Sequence, residues 1–245
     1  MRRVLLVIQY DGTDYHGFQR QDARLRTVQG ELEEGLARVL GEEVVVIGAG
    51  RTDARVHAIG QAVTFDTHRP IPIENLVGAL NATLPGDISV MSAEEVDRSF
   101  HPRRDAKGKQ YCYRILNRAL PSPFINRYAW HLREPLDVAR MQAAADRLVG
   151  EHDFAAFCAS GSTVKTTVRE LRRVDVSREG ETIEVRIEGN GFLYMMVRII
   201  VGTLVEVGAG RMSDEQVAEI LAGGDRRAAA RTAPAQGLTL IEVSY

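Results

Sequence analysis

Asp53 stands in a segment unlike the rest of the chain: Gly48-Ala49-Gly50-Arg51-Thr52-Asp53-Ala54-Arg55-Val56-His57-Ala58-Ile59-Gly60-Gln61, rich in glycine and charge and preceded by the apolar run Val44 to Ile47. Three chemistries use residues of these types. A dinucleotide fingerprint requires a third glycine three residues beyond Gly50, where helix and strand pack closely; Asp53 occupies that position and would repel a pyrophosphate. A P-loop ends in Gly-Lys-Ser/Thr, whereas Arg51-Thr52 is out of phase and lacks the lysine. What remains is a carboxylate on a tight turn between Arg51 and Arg55, which would keep Asp53 ionised while the arginines meet an anionic substrate. A solvated surface turn with a local ion pair uses the same residues.

Two further places break local rules. Arg198 lies in Phe192-Leu193-Tyr194-Met195-Met196-Val197-Arg198-Ile199-Ile200-Val201, a run apolar on most sides, where a buried charge needs a carboxylate, a phosphate or a route to solvent along its stem. Tyr111 and Tyr113 share one face of a strand, which reads as an inward aromatic pair unless a ligand reaches it. Just upstream is the densest basic cluster, His101 to Tyr111, with Arg103, Arg104, Lys107 and Lys109, followed by Arg114 and Arg118. Smaller groups are Arg20, Arg24 and Arg26, and Arg169, Arg172 and Arg173. Such clusters hold phosphates or simply face water.

The elements that must position these residues follow from periodicity. Short apolar stretches at Val4 to Gln9, Val44 to Ile47, Ala62 to Phe65, Ile88 to Met91, Tyr111 to Leu116, Val174 to Ser177, Thr182 to Ile187 and Leu238 to Val243 predict strands. Helical spacing marks Val28 to Leu40, Ile73 to Leu80, Leu136 to Leu148 and about Phe192 to Val207. A fifth helix opens at the capping box Ser213-Asp214-Glu215-Gln216 and stops at Gly223-Gly224. Strands interrupted by helices without strict alternation predict an α+β fold with helices packed on largely antiparallel sheet. Pro121-Ser122-Pro123 reads either as a linker dividing lobes of residues 1–120 and 121–245 or as a surface loop.

Composition narrows the class. Of 245 residues, 44% are hydrophobic and 26% charged, which excludes disordered and collagen-like chains. A net charge of -2 excludes binding a polyanion by bulk charge, so an anionic partner must be met locally. Cys112 and Cys158 lack the spacing of a disulfide scaffold or a zinc site. The run at Met1 to Ile8 is too short for a signal peptide, and no apolar run reaches the roughly 20 residues of a membrane span. A cytoplasmic protein without membrane attachment is expected.

The Gly50-Arg51-Thr52-Asp53-Ala54-x-Val56-His57-Ala58 run resembles the signature of the tRNA pseudouridine synthase A family. Further similarities occur in the family's order: Tyr10-Asp11-Gly12, Gly17-Phe18-Gln19-x-Gln21, Thr27-Val28-Gln29, Asn81-Ala82-x-Leu84-Pro85-x-Asp87-Ile88, Phe100-His101-x-Arg103, Lys109-x-Tyr111-x-Tyr113, Phe192-Leu193-Tyr194, Met196-Val197-Arg198, Val201-Gly202-Thr203-Leu204 and Pro234-Ala235-x-Gly237-Leu238. Each is weak alone; the ordered set is specific and spans nearly the whole chain.

The resemblance implies the pseudouridine synthase fold, two lobes with the active cleft between them, and conversion of uridine to pseudouridine at positions 38, 39 and 40 of the tRNA anticodon stem-loop. It implies Asp53 as the catalytic residue, Tyr111 as the stacking partner of an extruded base, and Arg51 and Arg198 at the cleft, with Asp53 as the acceptor for Arg198. Arg103, Lys107 and Lys109 become its RNA-binding rim. No metal, no cofactor, no DNA and a homodimer are implied as well. The reaction breaks the N1 glycosidic bond, rotates the uracil and joins C5 to C1′. A carboxylate suits it by attacking or stabilising C1′ or by taking the 2′ proton, and those routes remain open. The chain departs from the family pattern at Arg55, where glycine is usual, and at Phe18, Arg104 and Met195. If the Arg55 turn needs positive φ, arginine carries a strain of about 1 kcal/mol there. The rival readings are a non-catalytic RNA-binding protein and an Asp-dependent nucleoside hydrolase.

Overall fold

In a computed structural model, residues 1–22, 25–161 and 164–245 are described, and they form two compact units: Met1–Lys107 with Leu240–Tyr245, and Gly108–Thr239. The division expected at residue 120 falls inside the second unit. Pro121-Ser122-Pro123 belongs to a connection between two strands that pair with each other, so it links elements of one unit.

In the first unit, β1 (Arg2–Tyr10) lies between β3 (His57–Thr67) and β4 (Ile88–Val96), antiparallel to both. Val4 opposite Phe65 and Leu6 opposite Val63 turn period-two alternation into one buried face. Two helices cover the sheet, α1 (Val28–Leu40) and α2 (Ile73–Asn81). The Thr27 side chain caps α1 by accepting from Gly30 N at 3.2 Å, and Gly41 closes it at φ 66. Its Leu32 and Leu36 are fully buried, as are Leu76 and Leu80 of α2 to within 1%. Sinking side chains of this size stabilises by about 1.5–3 kcal/mol each.

The expected strand at Val44 to Ile47 shrinks to β2 (Ile47–Gly48), opposite Thr64 and Val63 of β3. Side chains of α1 take over the backbone of residue 46. Val46 N donates to Glu33 Oε1 at 3.1 Å, and its carbonyl accepts from Gln29 Nε2 at 3.1 Å, which leaves no ladder to extend.

The second unit is built on β5 (Gly108–Asn117), β9 (Thr182–Gly189), β8 (Val168–Glu179) and β7 (Gly150–Asp153), antiparallel in that order, with β6 (Trp130–Leu132) parallel to β5. Its helices are α3 (Val138–Asp146), α4 (Met196–Gly208) and α5 (Asp214–Gly223). The capping box at Ser213 and Gln216 forms, and Gly224 ends α5 at φ 66. By contrast, α4 starts four residues later than the apolar run suggests, because Met195 takes the left-handed conformation at φ 58 and breaks the helical path. The final strand, β10 (Leu238–Ser244), has its first two residues in the second unit and the rest beside β3 in the first. The fold is thus α+β and largely antiparallel, as the patterning predicts. Both cysteines are free; burial, with Glu184 nearby, pushes the Cys112 thiol up to about 11.

Candidate active site

Asp53 sits half-buried on a turn closed by Val56 N donating to its carbonyl at 3.1 Å. Arg55 occupies the third position at φ 68, the conformation a type II turn demands there and glycine adopts most cheaply. The conditional strain at the unusual arginine is therefore present in the structure.

What holds the turn comes from other segments. Phe18 N donates to the Thr52 carbonyl at 3.1 Å and Arg55 N to the Tyr15 carbonyl at 3.3 Å. Gln61 Nε2 reaches the Gly50 carbonyl at 3.0 Å, and the Thr52 hydroxyl is 2.8 Å from the Tyr10 hydroxyl. Burial pushes the Tyr10 phenol up to about 12, so it stays protonated at neutral pH. Two glycines admit this approach. A Cβ on Gly12 would lie 2.0 Å from the Val56 oxygen, and one on Gly17, itself at φ 96, 2.8 Å from the Thr52 oxygen. The Tyr10-Asp11-Gly12 and Gly17-Phe18 motifs thus back the aspartate turn.

The backing segment is anchored in turn. The Tyr15 hydroxyl donates to Asp87 Oδ1 at 2.5 Å, and Arg26 grips both Asp87 oxygens at 2.9 and 3.1 Å while its guanidinium carbon lies 4.3 Å from the Tyr15 ring centre. Burial and Asp87 together raise the Tyr15 phenol above its ordinary value. His57 is also occupied structurally. Gly12 N donates to its Nδ1 at 3.1 Å, and because a backbone N–H is always a donor, that nitrogen is the acceptor; the Asp11 oxygen 3.2 Å away already receives Thr13 N and Oγ1.

Two cations stand by this turn on neutral acceptors. Arg51 Nε donates to Gln19 Oε1 at 3.0 Å, and Arg103 Nη2 reaches the Gly48 carbonyl at 3.5 Å. Burial and the neighbouring Arg51 guanidinium both lower Arg103's hold on its proton. Most other candidate basic groups have carboxylate partners. Arg20 pairs with Glu33 at 3.0 Å, Arg26 with Glu31 at 2.8 Å as well as Asp87, Arg114 with Glu184 at 2.9 Å and Arg118 with Glu181 at 2.8 Å. On β8, Arg172 faces Glu170 and Glu188, and Arg173 binds Asp175, which corrects their reading as a basic patch. Arg24 lies outside the described residues. Lys107 is the last residue of the first unit, its N–H donating to the Ser244 carbonyl at 2.8 Å, and its neighbour Arg104 is exposed.

The structure therefore gathers Asp53, Arg51 and Arg103 in the first unit and leaves Lys109, Tyr111 and Arg198 in the second. Tyr111 is buried on β5, its ring edge-on to Phe192 with centres 5.1 Å apart. Tyr113, on the same face, is fully buried and donates to the Pro234 carbonyl at 2.7 Å. Arg198 is half-buried; its Nε donates to the Ala233 carbonyl at 2.8 Å, and Ala233 N returns a bond to the Arg198 carbonyl at 3.0 Å. A backbone carbonyl, foreseen neither as phosphate nor as carboxylate, thus helps to hold the guanidinium.

Comparison with known proteins decides the family. A model described as tRNA pseudouridine synthase matches residues 6–104 and 144–245. Proteins called tRNA pseudouridine synthase A from Brevibacillus brevis and Geotalea uraniireducens are 51% and 49% identical over 245 residues, covering 100% of this chain and of each relative. The chain belongs to the tRNA pseudouridine synthase family. It is accordingly an isomerase that converts uridine to pseudouridine in tRNA. An archaeal box H/ACA sRNP Nop10-Cbf5 complex is similar with a TM-score of 0.40 and 13% identity, over 83% of this chain and 43% of that one, too remote to bear on the site.

Family membership leaves the supporting residues to be found, and several escaped sequence reasoning. Thr52, Tyr10, Tyr15, Arg26, Asp87 and Gln61 position the aspartate turn, a role the sequence does not announce. Tyr10, Thr52 and Asp87 carry the signal of short motifs, Arg26 reads only as one of a basic group, and Tyr15 carries no signal.

Proposed function

We propose that the chain modifies uridines 38, 39 and 40 of the tRNA anticodon stem-loop, with Asp53 as the catalytic residue. The observation that carries this reading is the aspartate turn: a half-buried Asp53 whose turn is fixed from behind by Thr52, Tyr15 and Gly12, in a segment where Arg51 and Arg103 rest on neutral acceptors, Gln19 and the Gly48 carbonyl. Cations that are not already matched by carboxylates can take the phosphates of a tRNA strand. Asp53 then meets C1′ or the 2′ proton of the ribose beyond them.

Extruding a base costs a few kcal/mol, which stacking and hydrogen bonding must offset. We assign the stacking to Tyr111, whose plane Phe192 fixes, and substrate binding to Arg198, Lys107 and Lys109 along with Arg51 and Arg103. The protein works as a homodimer in the cytoplasm, without metal or cofactor; among the described residues, no helix is long and apolar enough to cross a membrane.

The test is tritium release from 5-tritiated uridine. Release from whole tRNA but not from free uridine supports the proposal. Cleavage of free uridine to uracil that keeps its tritium points to a nucleoside hydrolase, and binding of tRNA with no release points to an RNA-binding protein that has lost the chemistry. Sequencing the product tRNA for pseudouridine locates the modified positions, and sedimentation of the free protein tests the dimer.

A further inference from the structure

The stretch from Arg118 to Arg133, which comprises the connection between β5 and β6, β6 itself and the residue after it, contains Arg118, Arg127, His131 and Arg133 and no acidic residue. It is a built structure. The Ser122 carbonyl accepts from Ile125 N at 3.2 Å and Asn126 N at 2.9 Å, and the Ile125 carbonyl accepts from Tyr128 N at 2.8 Å. Arg118 Nε donates to the Leu120 carbonyl at 2.7 Å, and the buried Ser122 pins the turn to the unit. On this scaffold Phe124 is 89% exposed and Leu120 72%, with Ile125 and Tyr128 exposed beside them. Single exposed apolar side chains are ordinary, but a hydrogen-bonded turn that aims a cluster of them at water marks a binding surface.

We propose that this turn docks RNA, Phe124 and Tyr128 stacking on unpaired bases while Arg127 and Arg133 meet the flanking phosphates. Charge selects the occupant. A second copy whose two-fold axis passed through this turn would bring its arginines close to their own counterparts, whereas an RNA strand brings both the negative charge and the flat faces that exposed aromatics stack on. The inference rests on the tRNA reading above and adds a contact in the unit that does not hold Asp53.

Binding of the full chain to whole tRNA, measured by filter retention at several salt concentrations, tests it together with sedimentation of the free protein. Phe124→Ala is expected to weaken binding by about 5- to 100-fold, the range spanned by loss of one base–aromatic stack. Arg127→Gln and Arg133→Gln are each expected to flatten the salt dependence by a little under one slope unit. Oligomeric state should not change in any of the three. Unaltered tRNA affinity in Phe124→Ala overturns the proposal, and an accompanying change in oligomeric state would reassign the turn to contact between copies. Wild-type protein that binds tRNA without forming pseudouridine would defeat the synthase reading and leave this binding test intact, so the two failures are separable.

Discussion

The aspartate turn and the entry of α4 each hold one non-glycine residue in the left-handed region, Arg55 at φ 68 and Met195 at φ 58, and among the described residues there is no third. Each lies within three positions of a charge to which the proposal gives a role, Asp53 in one unit and Arg198 in the other. Their support differs. The turn is held by groups from Tyr10, Tyr15 and Phe18, all far upstream in sequence, and from the nearby Gln61, so its shape is imposed largely from outside. The α4 entry draws more on its own neighbours, Met196 N to the Leu193 carbonyl at 3.1 Å and Ile199 N to the Met195 carbonyl at 3.0 Å, beside two ties to remote segments: the bonds exchanged between Arg198 and Ala233, and Ala159 N donating to the Tyr194 carbonyl at 3.1 Å. An externally held turn fails when a neighbour changes, whereas a locally held one fails chiefly when its own residues do.

The largest effect should come from the glycine that lets the neighbour in. Gly12→Ala drives a methyl to 2.0 Å from the Val56 oxygen, a backbone atom that must move, and should destabilise by on the order of 3 kcal/mol in denaturant unfolding. Turnover should fall further than the unfolded fraction explains, because Val56 closes the Asp53 turn. An unfolding midpoint equal to wild type would break the claim of external support.

Next comes the charge at α4. Arg198→Met gives up the bond to Ala233 and the charge that the proposal assigns to substrate binding, so turnover of tRNA should drop roughly tenfold or more. Turnover equal to wild type in that variant would remove Arg198 from the site.

Tyr10→Phe removes the partner of the buried Thr52 hydroxyl and should cost about 1–2 kcal/mol of stability with a smaller loss of rate. The smallest change should be a gain. Arg55→Gly relieves the left-handed strain but adds freedom to the unfolded chain, for a net stabilisation below about 1 kcal/mol. Destabilisation by Arg55→Gly would mean that the arginine side chain contributes more than its backbone costs.

The same contrast explains what could be read from the sequence. Elements governed by their own residues were legible: α1 with its Thr27 cap, α5 with its capping box and terminal glycine, and the alternating face of β9. Elements governed by remote partners were not. The strand at residues 44 to 46 is absent because Glu33 and Gln29 take its hydrogen bonds, and β7, Gly-Glu-His-Asp, has no apolar alternation to show. Of the site, Asp53, Arg51 and Arg103 were visible as charges in the wrong company, but that Arg51 and Arg103 stay on neutral acceptors depends on contacts between segments far apart in sequence, and that Arg172 faces Glu188 depends on the register of β8 against β9. The Tyr15, Arg26 and Asp87 anchor joins residues 61 or more positions apart at its aspartate and could not be inferred from spacing.

The central claim is that the turn exists to present the Asp53 carboxylate to a bound tRNA. Asp53→Asn preserves the shape of the side chain and removes its charge, so whole-tRNA affinity and tritium release from 5-tritiated uridine should be measured on the same preparation. The account predicts affinity within about twofold of wild type, because phosphate contacts dominate binding, and release reduced by at least about 100-fold. Release near the wild-type rate with tRNA still bound would contradict it.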